Sequence, residues 1–234
     1  MIDLTIDTTA VKHIIIDFIR KQLSQAGYTR GVINLSGGID SALACTLAAE
    51  ALGPQNVLAI RLPYRASSPD SLAHAQLVID SLGVQSITYR ITPMVAPLFK
   101  AFPEMSQLRR GNILARARMI VLYDQSAAFH GLPIGTGNKT EILLGYTTIY
   151  GDAACAINPL GDLYKTQVRQ LARAVGVPEP IIQKPPSADL WDGQTDEGEL
   201  GFTYTEVDQL LYLLVERRAT LAECRLARFE EAFA

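Results

Sequence analysis

Cysteine, histidine and tryptophan are scarce in this 234-residue chain, with three, three and one of each. Cys45, Cys155 and Cys224 are widely spaced and form no Cys-x-x-Cys pair. That excludes a disulfide framework and a cysteine zinc site, and leaves reduced thiols. His13, His74 and His130 fall on predicted helices without a shared spacing, so neither a histidine metal site nor a Ser-His-Asp arrangement follows. No apolar run is long enough to span a bilayer. The opening Met1-Ile2-Asp3 lacks the basic-then-apolar order of a secretory signal. These absences place the chain in the cytoplasm with no membrane partner. A net charge of −3 supplies no bulk attraction to nucleic acid, so a DNA or tRNA partner is disfavoured.

Hydrophobic residues make up 48% of the sequence and charged ones 19%, which describes a folded protein with a real core. Apolar positions Val11, Ile14, Ile15, Phe18, Ile19 and Leu23 recur at helical spacing over Thr8 to Ala26. Gly31 to Leu35 then reads as a buried strand, followed by an Ala-rich helix to Leu52 and a strand over Asn56 to Leu62. Ser68 and Pro69 are an N-cap and a first helical position, opening a helix to Leu82. Gln85 to Ile91 is a third strand, Asn112 to His130 a long helix and Leu132 to Gly135 a short strand. Strands alternating with helices predict an α/β domain with a doubly wound, mostly parallel sheet of about five strands flanked by helices. A single domain over 1–234 is expected, with a mobile Pro-, Gly- and Asp-rich loop at 184–201 and a helical C-terminus.

The strongest chemical signal is Ser36-Gly37-Gly38-Ile39-Asp40-Ser41, where a strand gives way at once to a helix. Adjacent glycines let backbone approach a ligand closely. The helix start offers N–H groups and a positive dipole end to an anion. Ser36 and Ser41 add hydroxyls, and Asp40 a carboxylate suited to a phosphate-bound cation. The loop lacks the Gly-Lys-Ser/Thr ending of a Walker loop and the third glycine of a dinucleotide fingerprint. Ser-Gly-Gly-x-Asp-Ser after a strand instead looks like the pyrophosphate loop of ATP pyrophosphatases.

Gly135-Thr136-Gly137-Asn138-Lys139-Thr140-Glu141 also follows a short strand, and so lies at the same carboxyl edge of the sheet. Open parallel sheets bind ligands at that edge, where strand order reverses. If the first and fourth strands are neighbours, Asp40 and Glu141 face one another, a natural Mg²⁺ site beside a nucleotide. Lys165 opens a later helix and can grip phosphate oxygens as a point charge. Lys184-Pro185-Pro186-Ser187-Ala188-Asp189-Leu190-Trp191 forms an extended segment able to close over a site. Arg116 and Arg118 are two apart on one helix, so at most one faces a ligand.

Together these segments resemble the ammonia-dependent NAD synthetases, an ATP pyrophosphatase (PP-loop) family of the adenine nucleotide α-hydrolase-like fold. The match runs from Ile33 to about Asp208 and adds Gly111-Asn112 and Tyr150-Gly151-Asp152. The resemblance implies amidation of deamido-NAD: its carboxylate is adenylated by ATP, releasing pyrophosphate, and ammonia then displaces AMP. It implies that Ser36, Gly37, Gly38, Ile39, Asp40 and Ser41 bind ATP, together with Thr136, Lys165 and Ser187, and that Ser36, Gly38 and Ser41 cradle the pyrophosphate. Asp40 and Glu141 would hold Mg²⁺, Asp40 and Lys165 would serve catalysis, and Arg116 and Asp152 would contact deamido-NAD. It also implies a homodimer. Nothing here has the length for the amidase domain of glutamine-dependent relatives, so free ammonia, alone or from a separate glutaminase, is the expected donor.

The chain departs from the family pattern on the acceptor side. Ile149 stands where many members carry lysine, Ala156 where many carry aspartate, and Phe229 to Ala234 lacks the family's basic ending. Two alternatives therefore stand beside the synthetase: a related ATP pyrophosphatase that amidates a different carboxylate, and a nucleotide-binding sensor.

Overall fold

The computed structural model describes residues 2–187, 191 and 193–226. The expected loop thus falls partly, at 188–190 and 192, outside the described residues, as does the C-terminal stretch 227–234. Helix α1 (Thr8–Gln25) is capped by Asp7, whose carboxylate accepts from Thr9 and Ala10 N–H. There follow β1 (Gly31–Asn34), α2 (Ile39–Leu52), β2 (Val57–Arg61), α3 (Pro69–Leu82) and β3 (Gln85–Thr88). Next come α4 (Thr92–Ala101), α5 (Gln107–Phe129), β4 (Leu132–Pro133), α6 (Lys139–Leu144) and α7 (Lys165–Ala174). Short α8 (Glu179–Gln183) and α9 (Asp196–Leu200), then α10 (Tyr204–Leu211) and α11 (Leu221–Leu226), complete the described chain. Helix α9 lies inside the stretch expected to be loop.

All strands pair in parallel, in the order β3-β2-β1-β4. The alternation of side chains along β1 and β2 divides the core. Ile33, Val57 and Ala59 face a layer containing α1, α2 and α7. Val32, Leu58 and Ile60 face the opposite layer, with α4 and α5. Helix α2 is buried almost all round, and its run of small residues lets α1, α3 and α7 pack against it. This buried helix holds the Ser36–Ser41 loop rigidly at the carboxyl end of β1.

Among the described residues the sheet has four strands rather than about five. Beyond β4 the chain makes one further parallel bridge, Ile134 to Ile157. Asn158-Pro159 follows at once, and Pro159 has no N–H to extend a ladder. Helix α4 has no counterpart in the sequence expectation, because Pro93 and Pro97 both read as breakers. Pro93 occupies the first turn, where its missing N–H costs nothing, and the ten-residue helix accommodates Pro97. Helix α5 begins five residues earlier than its pattern suggests, with Ser106 as its cap.

Candidate active site

The strand order switches between β1 and β4, and the crevice at their carboxyl ends collects the residues singled out in the sequence. Gly37 has φ +82, and a Cβ there would lie 2.1 Å from the Ser71 carbonyl oxygen. Only glycine fits that position. The loop is then tied internally. Ser41 Oγ donates to the Gly38 carbonyl at 3.0 Å, lies 3.0 Å from Ser36 Oγ and accepts from Ser36 N–H at 3.2 Å. Helix α2 starts at Gly38 with no side-chain cap, so its N-terminus is open to an anion from the cleft.

The opposing wall is built by side chains. Asn138 caps α6 in a reciprocal box: its side chain accepts from Glu141 N–H while Glu141 accepts from Asn138 N–H. The Asn138 amide also donates to Asp40 Oδ1 at 2.9 Å. Lys165 Nζ sits between the carboxylates, 2.5 Å from Asp40 Oδ2 and 3.2 Å from Glu141 Oε1. The expected adjacency of Asp40 and Glu141 therefore holds, with a buried ammonium between them.

Lys165 is fixed from behind. Its backbone N–H donates to Thr140 Oγ1 at 2.9 Å, and Thr140 in turn donates to Asp208 Oδ1 at 2.5 Å. Asp208 Oδ2 accepts from Thr166 N–H at 2.8 Å, which satisfies the first turn of α7. Beneath the ammonium, the Tyr204 ring centroid lies 5.1 Å from Nζ, within cation–π range. Tyr204 donates its hydroxyl to Asp196 Oδ2 at 3.0 Å. Asp196, Tyr204 and Asp208 were not expected from the sequence. For Tyr204 and Asp208 the signal is a polar residue on an apolar stripe: Tyr204, Val207, Asp208 and Leu211 share one buried face of α10.

The electrostatics follow from three acids around one base. Burial pulls the Lys165 ammonium toward neutrality, but Asp40 and then Glu141 reverse this, and its pKa ends raised. Burial pushes Glu141 up to about 7, against the pull of Lys165 and with added repulsion from Asp40. Asp196 is also raised, chiefly by burial. Lys165 is the member held charged.

A cleft of about 350 Å³ joins these groups. Ser36, Gly38, Ile39, Asp40, Ser41, Thr136, Glu141, Asp152, Lys165 and Ser187 all line it, as do Lys184 and Asp196. Gly37 shapes the loop from behind. Both oxygens of Asp152 serve its own loop, accepting from Thr148 N–H at 2.8 Å and Thr147 Oγ1 at 2.9 Å. The two arginines separate as their spacing predicts. Arg118 lines the cleft and donates to the Leu62 carbonyl, whereas exposed Arg116 donates to the Ile149 carbonyl and does not line it.

A family model described as NAD synthase matches residues 11–231. The chain belongs to that family. It is 57% identical over 230 residues to the NH(3)-dependent NAD(+) synthetase of Trichlorobacter lovleyi, covering 98% of this chain and 84% of that protein. Among solved structures, the NH3-dependent NAD synthetase of Campylobacter jejuni, in complex with nitrate, matches with TM-score 0.82 at 33% identity. The match covers 98% of this chain and 90% of that one. The NMN synthetase of Francisella tularensis matches with TM-score 0.84 at 35% identity, over 88% and 87% of the two chains. The last two names differ in product.

Proposed function

We propose that this chain is an ammonia-dependent NAD synthetase. The observation that carries this reading is the Lys165 ammonium clasped by Asp40 and Glu141 beside the Ser36–Ser41 cradle. The reaction has two steps. A nicotinate carboxylate oxygen of deamido-NAD attacks the α-phosphorus of ATP, and the bond to pyrophosphate breaks. Ammonia then attacks the acyl carbon of the adenylate, its nitrogen loses a proton, and AMP departs. Neither step needs a protein nucleophile; positioning and charge neutralisation suffice.

The residues divide accordingly. Ser36, Gly37, Gly38, Ile39 and Ser41 cradle the departing pyrophosphate with hydroxyls and backbone N–H groups. Lys165 supplies a positive charge whose place is fixed by Thr140, Asp208 and Tyr204. Thr136 and Ser187 contact ATP. Asp40 and Glu141 fit a magnesium ion that arrives with the nucleotide, because two carboxylates plus phosphate and water oxygens are what that ion takes. Among the described residues no group of three or more acids, histidines or cysteines forms an all-protein cage, which accords with a nucleotide-borne ion. The ion's chemistry is neutralisation of phosphate charge. Arg116 and Asp152 serve the deamido-NAD side, Asp152 by shaping the 147–152 loop. Lys184, Pro185, Pro186 and Ser187 line the cleft and serve as part of a cover that keeps water from the adenylate. On this reading the chain works as a cytoplasmic homodimer on free ammonia, alone or supplied by a separate glutaminase.

A second acceptor has one observation behind it: a structural neighbour 35% identical is named for NMN. The deciding assay supplies ATP, Mg²⁺ and ammonia with deamido-NAD or with nicotinate mononucleotide, following AMP and both amides. Matched NAD and AMP is the expected result. Matched NMN and AMP instead would move the assignment to the mononucleotide. Neither amide, with ATP still bound, would leave a sensor.

A further inference from the structure

Four carboxylate oxygens meet at the corner of the cleft, and they are shared out between two residues. Lys165 takes Asp40 Oδ2 and Glu141 Oε1. Asn138 takes the other pair: its side-chain amide donates to Asp40 Oδ1 at 2.9 Å, and its backbone N–H donates to Glu141 Oε2 at 3.3 Å. Asn138 is fully buried. Its own carbonyl oxygen is occupied by Glu141 N–H at 3.0 Å.

Capping α6 does not require asparagine. Serine, threonine and aspartate all offer the acceptor that a helix N-terminus needs. Asparagine alone among these adds N–H donors at the end of a side chain, and the donor is the part that reaches Asp40. Each carboxylate is thereby left with one oxygen turned toward Lys165, and that is the pair available to a phosphate-borne cation. Without the amide, Asp40 is free to rotate and engage Lys165 with either oxygen.

We propose that Asn138 is a positioning residue for the reaction: it orients Asp40 and Glu141 so that Oδ2 and Oε1 face the incoming MgATP, a role separate from its cap. The inference rests on the synthetase reading above. A partner that orients a metal-binding carboxylate is worth about tenfold to a hundredfold in affinity or activity.

Asn138→Ser and Asn138→Asp test it, because both keep a capping acceptor and neither presents an amide donor to Asp40. Asn138→Ser is expected to melt close to the wild type and Asn138→Asp lower, because it buries a second carboxylate beside Asp40. Their kcat/KM for ATP should fall about tenfold to a hundredfold, with a higher Mg²⁺ requirement for half-maximal turnover. By calorimetry, ATP binding in EDTA should be nearly unchanged, while the gain in affinity on adding Mg²⁺ shrinks. Wild-type turnover and Mg²⁺ gain in both variants would reduce Asn138 to a cap and overturn the proposal. Should either variant fail to fold, the exchange measurement on the wild-type protein decides. In wild-type protein the Asn138 side-chain amide signal should stay protected from exchange when MgATP is added; its loss of protection would overturn the proposal without any variant. Absence of NAD formation by the wild type would refute the assigned reaction instead, since calorimetry and amide protection do not depend on turnover.

Discussion

The two walls of the cleft are built in different ways. The Ser36–Ser41 wall rests on backbone and on hydrogen bonds between residues two to five apart in sequence. The facing corner rests on side chains from distant elements, with Asn138 reaching Asp40 across 98 positions and Lys165 reaching it across 125. A locally built wall has few ways to fail. A corner of buried charges depends on every member, because a charge that loses its partner keeps its desolvation cost.

The largest effect should come from removing the cation of that corner. Lys165→Met leaves Asp40 and Glu141 facing one another with no positive charge between them. NAD formation should fall about a thousandfold, as for loss of a preorganised charge at a transition state. Urea unfolding should register about 3 kcal/mol of lost stability, typical of a buried pair broken on one side. Ser41→Ala, on the opposite wall, removes only local bonds and should cost about 1 kcal/mol. Equal costs in the two variants would erase the contrast between the walls.

Glu141→Gln comes next and carries a pH signature. The folded state raises this carboxyl from its ordinary 4.5 to about 7. Folding therefore favours the protonated form. The stability contributed by this group is complete below about pH 4.5 and is lost as pH rises through about 7. A glutamine stays neutral throughout. The variant should gain stability relative to wild type as pH rises from 5 to ~8, while Mg²⁺-dependent AMP formation is abolished. A stability difference that is flat with pH would mean that Glu141 is ionised in the folded protein at all these values.

The contrast also explains what the sequence shows readily and what it hides. The cradle, the β1–β4 crevice and the candidacies of Asp40 and Glu141 were legible, because each sits in a short segment where strand, glycine and helix start follow one another; the role of Lys165 came from the family resemblance. Asp196, Tyr204 and Asp208 were hidden, because their importance lies in contacts with Lys165, Thr140 and Thr166 from other parts of the chain. Helix α4 was hidden by its prolines. Among the described residues the ladder ends beyond β4 after the single Ile134–Ile157 bridge, with Pro159 following.

Tyr204→Phe probes the hidden layer with a smaller effect. The ring stays under the ammonium, so the cation–π contact survives. What is lost is the hydroxyl donor to Asp196, a buried carboxylate. One charge-assisted bond is worth about 1.5–3 kcal/mol, so a loss in that range is expected in urea unfolding. Turnover should fall far less than in Lys165→Met. A loss of turnover as deep as that variant's would place the hydroxyl itself in the chemistry.

The smallest effects separate the two arginines of α5. Gly111, Leu114, Ala115 and Leu122 mark the buried stripe of this helix, and Arg118 falls on it at helical spacing while Arg116 does not. Arg118 lines the cleft beside Asn34, Ser36 and Ser71, on the cradle side. Arg118→Met should therefore raise the KM for ATP several-fold, about 1 kcal/mol of binding. Arg116 is exposed and holds the Ile149 carbonyl, next to the loop that Asp152 organises. Arg116→Ala should raise the KM for deamido-NAD more than that for ATP, and by less than Arg118→Met raises the KM for ATP. If both variants acted on ATP alone, Arg116 would leave the acceptor side and the 147–152 loop would lose its link to deamido-NAD. If both acted on the dinucleotide alone, the acceptor would have to extend over the cradle wall, and the division of the cleft into a local wall for ATP and a long-range corner for chemistry would fail.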